Sequence, residues 1–90
     1  MITIYKYPLI IDDRQIIQMP SDAVLLCVQV QRGIPCLWAR VDEDNAAESR
    51  VILTRGTGHA AAGVGDYVGT YQIEGGQLVF HVFDGGVVLL

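Results

Sequence analysis

One lysine (Lys6) and five separated arginines (Arg14, Arg32, Arg40, Arg50, Arg55) are the only fixed cations in this sequence. A nucleic-acid binder needs a basic stripe to replace condensed counterions, so this scatter, at a net charge of −4, argues against direct nucleic-acid contact. Cysteine is equally sparse. Cys27 and Cys36 stand alone, far from any C-x-x-C pattern, and are read as reduced structural thiols. Neither they nor His59 and His81 show the close spacing of a metal site, and no metal or cofactor is expected. Long apolar runs are missing too, since the closing Val87-Val88-Leu89-Leu90 is far too short to cross a bilayer. The opening Met1–Lys6 lacks a basic start followed by an apolar stretch, so the expected location is the cytoplasm.

Catalytic motifs are also lacking. Ser21 and Ser49 lie in turn-like settings with no nucleophile elbow. Asp12, Asp13 and the Asp42–Asp44 run fall in polar loops rather than as a pair poised for acid–base work. Asp42-Glu43-Asp44-Asn45 resembles part of a calcium loop but has neither its glycine nor its terminal glutamate, and reads as a solvated turn. No 3.6-residue apolar period persists anywhere, which excludes a helical fold.

What remains is rich in β-branched residues, alternating patterns and glycine. Strands are predicted near Ile2–Tyr7, Gln15–Met19, Ala23–Gln31, Ile34–Asp42, Arg50–Arg55, Tyr67–Glu74 and Gln77–Asp84, with a short tail strand after them. One helical turn is conceivable at His59–Ala62. The expectation is a single all-β domain over 1–90, a small antiparallel β-sandwich or partly open barrel of about seven strands. Apolar residues make up 51% of so short a chain, more than a small monomer ordinarily buries, and this predicts a homo-oligomer.

Two hairpins fix the faces. A two-residue turn at Arg32-Gly33 puts Val24, Leu26, Val28 and Val30 with Pro35, Leu37, Ala39 and Val41 on one apolar face, with Pro35 in a non-hydrogen-bonded pair. A three-residue loop would instead turn Cys36 and Trp38 inward; the first register segregates the faces better. At Gly75-Gly76 a type I′ turn pairs Ile73 with Leu78, Tyr71 with Phe80 and Gly69 with Val82 toward the core. The other face then holds Val68, Thr70 and Gln72 against Val79, His81 and Phe83, with His81 opposite Thr70.

The Gly56–Asp66 loop is the longest and most glycine-rich. In Gly56-Thr57-Gly58-His59 the glycines allow close backbone approach and the free N–H groups suit an anion, with Arg55 adjacent. This is neither a P-loop nor a dinucleotide fingerprint. The candidate binding residues are Trp38, Arg40, Arg55, Thr57, Gly58, His59, Tyr67, Thr70 and His81. Trp38 and Arg40 enter as residue types favoured at binding hot spots, with a plain core role for Trp38 left open.

Several stretches taken together carry a resemblance: Lys6-Tyr7-Pro8-Leu9, Val28-Gln29-Val30-Gln31 leading to Ile34-Pro35-Cys36-Leu37-Trp38-Ala39, Gly56-Thr57-Gly58-His59, Tyr67-Val68-Gly69-Thr70-Tyr71-Gln72 and Leu78-Val79-Phe80-His81-Val82-Phe83. The chain resembles a family of small proteins of tailed phages and prophage-bearing bacteria. The resemblance implies a phage-encoded accessory protein in the bacterial host's cytoplasm. From that origin the expected role is non-enzymatic: occupying a host protein, or sequestering a small anionic, nucleotide-like ligand, so as to counter a host defence system. A structural role in a phage particle is the alternative, and a small hydrolase using His59 or His81 a more distant one.

Overall fold

The alternating runs become seven strands in a computed structural model that describes residues 1–88. They are β1 (Ile2–Pro8), β2 (Arg14–Pro20), β3 (Val24–Gln31), β4 (Ile34–Asp42), β5 (Ala47–Gly56), β6 (Asp66–Ile73) and β7 (Leu78–Val87). Two antiparallel sheets, ordered β1-β4-β3 and β2-β5-β7-β6, stack as a sandwich with no ladder joining them into a barrel. No helix among the described residues is long and apolar enough to cross a membrane. His59–Ala62 form no helical turn, and the predicted tail is an extension of β7 to Val87. Leu89 and Leu90 of the apolar ending lie outside the described residues.

Turn chemistry sets the registers. Arg32 (φ 51°) and Gly33 (φ 81°) form the two-residue β3–β4 turn, giving pairs Gln31–Ile34, Val30–Pro35 and Val28–Leu37. The main chain of Pro35 faces β1 instead of β3, and its carbonyl accepts from Leu9 N at 2.8 Å, so β3 loses no bond to the proline. The face assignment fails farther along. A bulge between Leu25 and Cys27 shifts the register, which turns Leu25 onto the core and leaves Val24 and Leu26 exposed. In the other hairpin Gly75 (φ 64°) and Gly76 (φ 89°) make the turn closed by Gln77 N to Glu74 O, and Ile73–Leu78, Tyr71–Phe80 and Gly69–Val82 pair as expected. A second bulge, between Tyr67 and Gly69, moves Val68 against the core, not onto the outward face. The alternation rule fails at both bulges for one reason: an extra residue on one strand reverses the facing of everything beyond it.

Leu37, Ala39 and Val41 of β4 pack with Val28 against Met19, Ile52, Tyr71 and Val82 of the second sheet. Full burial of side chains such as Leu37, Ile52 and Met19 contributes roughly 1.5–3 kcal/mol each. The sheets come closest where β3 meets β6. A Cβ on Gly69 would stand 3.0 Å from Val28 N and 3.1 Å from its Cβ, so the absence of a side chain permits that approach.

One buried charge was invisible to pattern reading. Arg50 points inward from β5 and is 6% exposed. Its Nη1 donates to Asp84 Oδ2 at 2.9 Å, and its Nη2 donates to Ala23 O at 3.1 Å and Glu48 Oε1 at 3.2 Å. Because Ala23 leads into β3 while Arg50 and Asp84 belong to the second sheet, the guanidinium staples one sheet to the other.

Arg50→Ala is expected to cost roughly 3 kcal/mol, the lower end for breaking a buried pair, since Asp84 and Glu48 retain some water contact. Urea denaturation would check it; a loss within error of wild type would show the staple to be dispensable. Tyr71 offers the opposite case, because its hydroxyl is buried with no hydrogen-bond partner among the described residues. Burial also raises its pKa above the ordinary value of about 10. The folded state keeps the phenolic proton where the unfolded chain has lost it, so this contribution is intact below about pH 10 and falls as pH rises toward the folded pKa. Tyr71→Phe is therefore expected to melt no lower than wild type at pH 7 and higher than it above pH 10, by thermal melts followed by circular dichroism.

Candidate functional site

β5 and β6 run parallel on either side of β7, so the connection between them must cross that strand. Thr57–Gly65 makes the crossing over the outward face of β7. Thr57 N donates to Val79 O at 3.3 Å as the loop leaves β5. At its far end Gly65 (φ 93°) lies against Asp84: a Cβ there would overlap the Asp84 carbonyl oxygen, so only glycine fits. Val64 is buried and anchors the return, while Thr57–Gly63 are exposed.

The crossing puts Thr57 onto His81. Register places His81 between Arg55 on β5 and Thr70 on β6. Thr57 Oγ1 lies 2.8 Å from His81 Nε2, Thr70 Oγ1 lies 3.0 Å from Nδ1, and the Tyr67 hydroxyl lies 2.6 Å from Thr70 Oγ1. Four side chains thus form one hydrogen-bonded line, Tyr67–Thr70–His81–Thr57. A neutral imidazole donates through one nitrogen and accepts through the other, so the line has a direction. When Tyr67 donates to Thr70 and Thr70 to Nδ1, Nε2–H donates to Thr57. The Thr57 hydroxyl proton is then left for an acceptor from outside.

Around this line is a hollow of about 250 Å³ lined by Arg55, Gly56, Thr57, Gly58, His59, Ala61, His81 and Phe83. Arg55 Nη1 is held by the carbonyls of Asp13 (3.0 Å) and Thr54 (2.8 Å), which fixes the guanidinium and leaves its other nitrogens unbonded among the described residues. The His59 ring lies against Gly56, where a Cβ would come within 3.1 Å of it, and His59 N donates to Gly56 O at 3.0 Å. Gly58 (φ 88°) has open space around it. A second, larger depression of about 380 Å³ shares Gly56, Thr57 and His59 and continues over Gln77, Leu78, Val79 and Phe80.

Seven of the nine sequence candidates therefore gather on one side of the molecule: Arg55, Thr57, Gly58 and His59 with Tyr67, Thr70 and His81. Trp38 and Arg40 do not join them. Leu37, Ala39 and Val41 occupy the inward positions of β4, so the half-buried Trp38 and exposed Arg40 project from the outward face of the other sheet. Within one protomer they cannot line the same pocket as His81. Phe83 was missed, although it sits two residues from His81 on the same face and stacks edge-on to Tyr67 with centroids 5.9 Å apart. The alternation of β7 was signal enough to find it. Ala61, Leu78 and Gln77 carried no sequence signal.

No curated protein and no solved structure matches this chain. Its sequence does match a family over residues 1–87, nearly the whole sandwich and every residue of the hollow. The chain belongs to the family described as Domain of unknown function (DUF7352).

Proposed function

We propose that this protein is a non-enzymatic binding protein whose site is the hollow beneath the Thr57–Gly65 crossover, and that its ligand is a small anion of nucleotide-like character. The observation that carries the reading is the line Tyr67–Thr70–His81–Thr57, which ends at the Thr57 hydroxyl in a hollow that Arg55 also lines. Both imidazole nitrogens are engaged, so the ring is a fixed recognition element. Successive hydrogen bonds of one sense polarise one another, which sharpens the terminal Thr57 hydroxyl as a donor. Gly58 and Ala61, which line the hollow, have N–H groups that make no hydrogen bond among the described residues, and Arg55 supplies the positive charge. The neighbouring apolar depression over Leu78 and Phe80 suits the uncharged part of such a ligand, with the Gln77 amide at its rim.

The resemblance to small proteins of tailed phages supports the wider role: a phage-encoded accessory protein acting in the bacterial cytoplasm, countering a host defence system by holding a ligand or covering a host protein. A role in particle assembly is the rival that origin alone would equally allow. The 2.8 Å Thr57–His81 contact favours one further reading, a hydrolase with Thr57 as nucleophile and His81 as base. In that case a phosphoester or ester substrate would turn over, His81→Ala would abolish turnover, and Thr57→Ser would retain it.

Native mass spectrometry of the protein purified from cells, followed by thermal melts with inorganic phosphate, adenosine monophosphate and adenosine diphosphate, tests the binding reading. The expected result is bound mass or a melting temperature that climbs with probe concentration, as mass action requires. Thr57→Val and Arg55→Gln should each weaken the response at least tenfold in half-maximal concentration. A melting temperature indifferent to every probe, together with an empty mass spectrum, would reject the hollow as an anion site.

A further inference from the structure

The two sheets differ in how their edges are finished. β3 is closed off by the approach of β6 across Gly69 and Val28. β2 is an open edge. Thr54 N donates to Asp13 O, so by alternation Arg14, Ile16, Gln18 and Pro20 direct their main chains outward. Two polar side chains and a proline make that edge a poor template. β1 is finished differently. Glu43 N donates to Met1 O at 3.1 Å and Leu9 N to Pro35 O at 2.8 Å, so odd positions face β4. The N–H and C=O groups of Ile2, Ile4 and Lys6 therefore point away from the sheet, and only Pro8 interrupts the row.

Nothing on β1 guards that row. The strand has no bulge, and among the described residues no other strand lies along its far side. Its one charge, Lys6, is folded back over the sheet with Nζ 2.7 Å from Gln31 Oε1. Ile2 and Ile4, which would flank an incoming strand, are 68% and 51% exposed.

We infer that β1 is the surface through which two copies of this chain associate, Ile2–Lys6 of each pairing antiparallel about a two-fold axis at Ile4. In this register Ile4 pairs with its own counterpart and Ile2 with Lys6, every one of them a residue whose main chain faces outward. Ile4–Ile4 and the two Ile2–Lys6 pairs are of the hydrogen-bonded class, with the non-hydrogen-bonded Thr3–Tyr5 pairs between them, and the two three-stranded sheets become continuous. Charge favours the same arrangement. Lys6 and the Arg32 turn lie at one end of the sheet, and Asp42, Glu43 and Asp44, three carboxylates against the one Met1 ammonium, at the other. The two-fold sets the basic end of each copy beside the acidic end of its mate. A strand from a different protein would satisfy the main chain equally but would not inherit this self-complementary charge. This inference stands apart from the ligand site, which lies on the other sheet.

Sedimentation velocity over a wide concentration range, with amide exchange by NMR, tests it. Wild type is expected to form dimers, and the amides of Ile2, Ile4 and Lys6 to gain protection as dimer accumulates. Ile4→Pro removes only an outward-facing donor, and Ile4→Lys sets like charges across the axis; each should give monomers. Should the proline variant lose its native circular dichroism, Ile4→Lys, at a half-exposed position, decides the matter. Ile16→Pro, on the other open edge, should leave the dimer intact. The inference is overturned by a wild type that stays monomeric throughout, by dimers that persist in Ile4→Lys, or by dissociation in a folded Ile16→Pro.

Discussion

The position of Asp84 governs most of what this molecule can do. Its side chain holds Arg50 through one oxygen and Gly86 N through the other, at 2.9 Å each. Its backbone is the surface on which Gly65 lands at the end of the crossover. The bulge at Gly85 lets both happen, because the extra residue bends β7 just where the strand passes from the pairing of Ile52 to that of Val51. Arg50 in turn reaches Ala23 and so fixes where β3 begins relative to the second sheet. A buried ion pair of this kind is weak evidence for net stability, since its desolvation offsets much of its attraction. Its value here is positional: a hydrophobic replacement would fill the space without aligning sheet, bulge and loop.

With the crossover anchored at that end, the chemistry of the outward face follows from register. β7 is flanked by β5 and β6, so His81 has Arg55 on one side and Thr70 on the other without any help from loops. Only Thr57 depends on the loop, and it completes the second nitrogen of the ring. Threonine hydroxyls thus hold the imidazole at both nitrogens, which fixes the plane of the ring. The outward face of the first sheet is built differently, with Trp38, Arg40 and the apolar row of β1 beside an open edge. The two faces are separated by the full thickness of the core, which places the Thr57–His81 hollow and the β1 edge on different sheets.

Much of the fold was legible in the chain. Arg32-Gly33 and Gly75-Gly76 declared their turns because both central positions of each need positive φ, and the pairings next to the turns followed. Proximity of His81 to Thr70 was legible for the same reason. Register reasoning lost its hold with distance from the turn, since the bulges at Leu26 and Val68 obey no periodicity that alternation can reveal. Trp38 and Arg40 were grouped with His81 because both sets lay on non-core faces; nothing in a linear pattern distinguishes one outward face from the other.

β5 shows where the boundary falls. In Arg50-Val51-Ile52-Leu53-Thr54-Arg55 one face carries Arg50, Ile52 and Thr54 and the other Val51, Leu53 and Arg55, so alternation gives no reason to turn Arg50 inward. Turn sterics and hydrophobic alternation act over a few residues, so the chain alone specified an all-β protein with two tight hairpins and left a sandwich and a partly open barrel as alternatives, which the two separate sheets resolve. The tertiary structure alone decided that Arg50 faces inward and Arg55 outward. Only there does Arg50 find Asp84 of β7 and the Ala23 carbonyl ahead of β3, which together with Glu48 two residues back on β5 bond both terminal nitrogens of the buried guanidinium.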